Sequence, residues 1–334
     1  METKKMTKTD RAVARFCEMM IETINGLEQG WRKTWLTSVG KGRPMNASGR
    51  EYNRMNEFFL ELVCCTKGYQ LPVFLTFNQC RALGANVTKG EKSFPVLFWS
   101  LYAKNKTTGK NFTIQEYDKL SKAEKKNWDT IPLLKTYDVF NVAQTNIAEV
   151  KPELIAKLQA KFTTPVAKTT DGMYANDQLD ALIDGGWVCP IKCKKQDRAF
   201  YSPATDSITL PLKEQFNLGG TAEDIYRGGE EFYATALHEM THSTMKADRC
   251  NRADNSKKFG DKAYGREELV AELTAAMCGH ELGFNTAVEK NNAAYLSSWL
   301  KVIKQEPNFL VSVLADVNKA AKFIDDAMAK VKTA

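Results

Sequence analysis

Two of the three histidines in this 334-residue chain stand four residues apart, His238 and His242, with Glu239 beside the first. On a helix that spacing puts both imidazoles on one face, about one turn apart, where they converge on one ion. Neutral imidazoles suit zinc, and two of them leave positions for a third protein ligand and for water. Glu239 lies within reach of such a water, whose proton it can take and pass to a leaving amine. The same five-residue string can also arise by chance on a surface helix. Against that, Phe232, Ala236, Leu237 and Met240 give the segment apolar positions, so the helix is expected to pack.

Three places offer a third ligand. Asp248 stands where a metzincin would place one, but the turn before it carries Met245 in place of glycine and no Met-turn follows. His280 lies in an Ala- and Met-rich helical stretch, where a lone histidine is more often a packing residue. The segment over Gly265–Met277 holds Glu268 and Glu272 four apart, hence on one face. One carboxylate can bind the metal while the next turn's carboxylate orients a ligating histidine. Glu268 is preferred as ligand and Glu272 as its neighbour's support, with Glu267, about a quarter-turn away, as the fallback. This is the gluzincin layout, in which a second helix supplies the glutamate. The alternative for such a run is a charged, solvated helix face. Tyr226, Tyr233 and Tyr264 are available as oxyanion donors, and the sequence does not choose among them.

Charge divides the chain. Residues 1–150 carry 23 Lys and Arg against 15 Asp and Glu, and the remainder carries 24 against 25. A basic half joined to a neutral half is the pattern of a polyanion-binding region beside one with another task. In the basic half, cations and aromatics interleave at Trp31, Arg32, Lys33 and Trp35, and again at Arg50, Tyr52 and Arg54, while Lys89 and Lys92 precede an aromatic strand. Cations track phosphates and aromatic faces stack on unpaired bases. These eight residues, Trp35 apart, are the candidates for contact with single-stranded DNA, although some of the aromatics must serve as core.

Periodicity predicts an α+β fold in two domains. Helices are expected over 10–29, 54–66 and 78–85, and strands over 95–104 and 131–142, with 103–130 as an exposed, Lys-rich insertion. Residues 1–148 form the first domain, a small α+β unit. Residues 149–173 read as a linker with a short helix. Residues 174–334 form a mainly helical domain with a short sheet. Its helices are expected over 176–186, 230–246, 266–282, 290–305 and 309–332, and its strands over 187–192 and 199–211. The strand before the metal helix offers an edge on which an extended peptide could pair. No apolar run approaches the length of about 20 residues that spans a bilayer, and the charged N-terminus has no signal-peptide core. Eight scattered cysteines then read as reduced thiols of a cytoplasmic protein. Cys189 and Cys193 sit four apart but lack two further ligands nearby.

Stretches from both halves resemble one family in colinear order. GLEQGWRKTW, PMNASGREYNRMN, GYQLPVFLTFNQCRALGANVTKGEKSFPVLFW and LKTYDVFNVAQ resemble the N-terminal domain of ArdC-type antirestriction proteins. AFYSPATDSITLP, ALHEMTHST and FGDKAYGREELVAEL resemble the metallopeptidase domain of the same family. The resemblance implies a single-stranded-DNA-binding domain followed by a zincin-like fold, in proteins of mobile elements that protect incoming DNA from restriction. By position it implies His238, His242 and a glutamate of the 267–272 segment as ligands of Zn2+ or another divalent ion, and Glu239 as acid/base. It leaves the protein substrate of such a centre unknown. Residues 107–130 depart from the family as an insertion, and 245–254 match it only loosely. Three functions compete: antirestriction with a working protease, a DNA-tethered repair protease, and a DNA-coating protein with a non-catalytic metal site.

Overall fold

The computed structural model describes residues 8–27, 43–162, 168–252, 262–283 and 307–331. The N-terminal region opens with helix α1 (Lys8–Leu27), whose Val13, Phe16, Cys17, Met20 and Ile21 recur at helical spacing and are all buried. Strand β1 (Met45–Asn46) precedes helix α2 (Arg54–Lys67). The α2 boundaries are chemical. The Asn53 side chain accepts the Asn56 N–H at the start, and Gly68 takes a φ of 68° at the end, its N–H returning to the Cys64 carbonyl. Strand β2 (Val73–Thr76) runs directly into α3 (Phe77–Ala82) through a capping box of Thr76 and Gln79.

The long strands β3 (Phe94–Asn105) and β5 (Trp128–Asn141) pair along their whole length. Between them lie β4 (Asn111–Thr113), α4 (Ile114–Asp118) and α5 (Lys122–Lys125). The stretch expected to be an insertion is therefore exposed but ordered. Its two short helices start at capping boxes, Thr113 with Glu116 and Ser121 with Glu124, and Phe112 stacks on Trp128 at 4.2 Å. The sheet order is β1-β2-β5-β3-β4, antiparallel except for β1 beside β2. Helices α6 (Ile147–Val150) and α7 (Pro152–Gln159) follow. Their Ile147 and Leu158 pack with Val73, Leu75 and Cys80, so the stretch read as a linker is seated on the N-terminal region as far as Phe162.

The second region begins with the hairpin β6 (Lys168–Thr170) and β7 (Met173–Ala175) and helix α8 (Asp177–Ala181), which ends in a single π turn over Leu182–Gly186. Strands β8 (Ile191–Cys193), β9 (Phe200–Ser202) and β10 (Ser207–Leu210) form a small sheet of order β8-β10-β9. The strand expected from 187 is shorter, because Trp187 leaves the sheet to bury its ring and donate from Nε1 to Ser243 Oγ at 3.0 Å. Three long helices complete the region: α9 (Ala222–Ser243), α10 (Lys262–Glu281) and α11 (Pro307–Val331). The helix expected over 290–305 lies outside the described residues.

The two regions share a core. Phe16, Phe59, Phe74 and Leu97 of the first pack with Leu269, Val270, Leu273 and Met277 of α10 and with Val313, Leu314 and Val317 of α11. A second core lies between α9, α10, α11 and the small sheet. The metal helix α9 is seated by a glycine pair. A Cβ at Gly228 would overlap the Phe216 carbonyl, and one at Gly229 would overlap the Tyr174 backbone of β7. Glycine weakens a helix interior, so the close approach is what these two positions supply. Gly229→Ala is expected to lower stability by about 1–3 kcal/mol, the usual cost of overpacking; urea unfolding monitored by tryptophan fluorescence measures it.

Candidate metal centre

Helix α9 starts at Thr221, whose side chain caps the Asp224 N–H, and carries its histidines in its last turns. Its buried face, with Phe232, Tyr233, Ala236, Leu237 and Met240, turns His238 and His242 toward α10. Opposite them Glu268 projects from α10. His238 Nε2 lies 3.6 Å from Glu268 Oε2, His242 Nε2 lies 3.6 Å from Glu268 Oε1, and the two imidazole Nε2 atoms are 3.0 Å apart. Among the described residues, these three are the group of donor atoms that could hold a metal ion. Tetrahedral ligands at about 2.0–2.1 Å from zinc stand roughly 3.3 Å from one another. The observed triangle brackets that value, and two imidazoles with a carboxylate suit a divalent cation, so the residues fit a metal.

Each histidine has a second carboxylate behind it. Glu272 Oε1 lies 3.6 Å from His238 Nδ1, and Glu267 Oε1 lies 3.4 Å from His242 Nδ1. Carboxylates in such positions can fix the tautomer and ring orientation of metal-ligating histidines. Glu272, expected to support a ligand, stands nearest the Nδ1 side of His238. Glu267, expected as a fallback ligand, faces the far nitrogen of His242 and is buried against Arg252, which donates to it at 3.0 and 2.5 Å. Burial raises the Glu267 carboxyl, but His242 and Arg252 outweigh it and hold the group below its usual range. Arg252 also donates to Thr244 Oγ1 and the Thr241 carbonyl, which ties Glu267 to the end of the metal helix. Sequence reasoning missed Arg252, whose only signal was an arginine ten residues past His242 in a loosely matching stretch.

Burial pushes the His238 imidazole toward neutrality, yet Glu268, Glu272 and Glu239 win and raise it to about 9. Glu239 is buried, and its Oε2 accepts the Tyr201 N–H of β9 at 2.8 Å. The Tyr201 hydroxyl donates to Asp206, which also holds Lys246 and Arg249 at 2.7 Å. Asp248 is exposed and outside the cluster. Tyr233 is fully buried with its hydroxyl on Asp180, and Tyr226 packs edge-on against Tyr174, so neither ring addresses the metal triangle. The side chains of Tyr264 and His280 lie outside the described residues. Among the described residues Cys189 and Cys193 form no metal cluster, one buried and the other exposed.

The proposed DNA contacts scatter. Arg50 is exposed over the Phe98 ring at 5.9 Å. Tyr52 is half-buried, its ring edge-on to Phe74 and its hydroxyl donating to the Phe74 carbonyl. Lys89 and Lys92 are exposed on the turn before β3. Trp31, Arg32 and Lys33 lie outside the described residues, as does the side chain of Arg54.

Residues 10–140 match the N-terminal domain of anti-restriction factor ArdC, and residues 177–316 match a zincin-like metallopeptidase family. In both regions the chain is similar to ArdC-type antirestriction proteins. The metal-free crystal structure of the antirestriction ArdC protein from plasmid R388 superposes with a TM-score of 0.65 at 26% identity, covering 94% of this chain and 98% of that one. Its Mn(II)-bound form gives 0.64 at 25% identity, covering 97% and 99%. A DNA primase TraC of Escherichia coli is 28% identical over 309 residues, which is 92% of this chain but 26% of that protein. The uncharacterized protein y4eC of Sinorhizobium fredii (strain NBRC 101917 / NGR234) is 26% identical over 282 residues, 84% of this chain and 80% of that one. The chain therefore spans about a quarter of the primase it matches.

Metal binding needs a bare imidazole, so below about pH 9 a metal must displace the His238 proton. Apparent affinity should rise about tenfold per pH unit from 7 to 9 and level off above, as read by titration with a chromophoric chelator. Glu268→Ala should abolish stoichiometric metal in elemental analysis, while Glu272→Ala and Arg252→Ala should weaken it by about 10–100-fold.

Proposed function

We propose that this chain is a cytoplasmic antirestriction protein of a mobile genetic element. It binds single-stranded DNA through its N-terminal domain and uses its divalent-metal centre to hold the protein together, not to cut peptide bonds. The observation that carries the non-catalytic role is the state of Glu239. A protease base addresses the metal-bound water with its carboxylate, and here the group is buried with one of its two oxygens, Oε2, committed to the Tyr201 N–H at the edge of β9. The same bond occupies the main-chain donor with which an extended peptide would pair. An ion at His238, His242 and Glu268 would cross-link α9 to α10, the helix that also packs on the N-terminal region. The similar R388 protein holds Mn(II) in one crystal form, which widens the sequence's preference for zinc to a divalent ion. Among the described residues no helix is long and apolar enough to cross a membrane.

The second reading keeps a protease, acting on an unknown protein. It is favoured by Glu239 standing next to His238 in the motif. A bound metal would supply an acidified water, and Glu239, once released from Tyr201, would take its proton.

Glu239→Gln separates the two. Protection of unmethylated single-stranded DNA entering a restricting host should survive this substitution, and purified protein should keep its metal and its DNA affinity. Loss of protection with metal and DNA binding intact would establish the protease reading instead.

A further inference from the structure

Four exposed aromatics stand out among the described residues, and three share one groove. The groove lies on the N-terminal sheet, has a volume of about 1010 Å³ and is lined by Phe77, Phe98 and Tyr137, which are 53%, 39% and 46% exposed. The fourth, Phe200, is on β9 beside the metal centre. Large aromatic rings are expensive to leave in water, and three in one concavity mark a binding surface.

The groove lining carries Arg43 and Arg50 against Glu51 and Asp138, so what charge contributes is local to one ring. Arg43 is shared among Glu51, Glu57 and Glu281, each at 2.8 Å, and Asp138 pairs with Arg15 at 2.6 Å. The Arg50 guanidinium lies over the Phe98 ring, and Lys135 is the direct cross-strand partner of Phe98 and exposed. Among the described residues no carboxylate forms an ion pair with either cation. Phe98 is thus flanked by two positive charges, which complements a polyanion.

The register specifies more. Val96 faces Tyr137 and Phe98 faces Lys135, so Phe98 and Tyr137 are diagonal neighbours across the strand pair. That relation sets side chains about 7–8 Å apart, against about 3.4 Å for one base-stacking step. A flat ring one base thick fits between them. Duplex DNA buries its base faces in its own stack, so only an unpaired strand can offer such a ring.

We propose that this groove is where single-stranded DNA binds, with Phe77, Phe98 and Tyr137 stacking on bases and Arg50 and Lys135 contacting phosphates. This rests on the single-strand reading above and moves the contact away from Lys89 and Lys92, on the turn before β3, to the open mouth of the sheet. Affinity is carried mainly by stacking, and the salt dependence by two cations.

The test uses the full chain and fluorescein-labelled oligothymidylate, with the same sequence as duplex for comparison. Wild type should prefer the single strand. Phe77→Ala, Phe98→Ala and Tyr137→Ala should each weaken binding about tenfold with the salt slope unchanged. Arg50→Gln should reduce that slope by about 0.7. Phe200→Ala should bind like wild type. Metal content and thermal midpoint report folding, and Phe98→Tyr, which keeps the ring, should bind like wild type. Wild-type binding that all three alanine variants retain would overturn the groove and leave the single-strand reading standing. Equal, variant-sensitive affinity for duplex would overturn the choice of ligand. No binding by wild type would overturn both.

Discussion

Helix α10 has no free side, and the rest of the molecule is arranged around that fact. Leu269, Val270, Leu273 and Met277 enter the core of the N-terminal region. Ala275 and Cys278 enter the core beneath the metal helix. Glu267, Glu268 and Glu272 face the two histidines. A helix with one apolar stripe could satisfy one of these demands. This one is apolar over much of its circumference, with Glu267, Glu268 and Glu272 on the surface that meets α9 and Glu281 paired with Arg43 of the N-terminal region, as suits a helix buried between two layers. The two matched domains consequently share a physical core, and the metal centre is built onto the element that joins them.

That placement bears on what the metal does. Three carboxylates crowd two imidazoles, and their charge is partly offset by Arg252 and by a proton held on His238 up to about pH 9. A divalent cation bound there would replace that proton and concentrate positive charge where the carboxylates converge. Its free energy of binding is then also free energy of holding α9 against α10. The Glu239–Tyr201 bond belongs to the same economy. It satisfies a buried carboxylate with an edge-strand donor, and it ties the small sheet to the metal helix.

The N-terminal sheet solves a different problem. Its long β3–β5 pair buries Phe94, Val96, Leu97 and Val139, but further along the same pair Phe98 and Tyr137 emerge into the groove. The cost of exposing those rings is borne where Arg50 and Lys135 also stand. The candidate metal cluster and the open aromatic groove thus lie on different elements of one chain.

Much of this was legible from the residues in order. Helical spacing identified α1, α2, α9, α10 and α11, because periodic burial is a local signal. The His238–His242 pair and the Glu268–Glu272 pair each lie within one helix, where four-residue spacing is geometry. Other features depended on chain segments far apart in sequence. Arg252 comes to Glu267 only because α10 folds back along α9. Glu267 changes from a spare ligand to the support of His242 because of where the helices cross, which periodicity does not encode. Tyr52 was singled out for its neighbours in sequence, and folding sets it against Phe74 at the wall of the groove. Phe77, Phe98 and Tyr137 lie on three separate elements, and only strand register brings them into one groove. Local spacing determined which side chains could act together within a helix. Tertiary packing decided which would meet across elements, because those contacts are set by crossing and register.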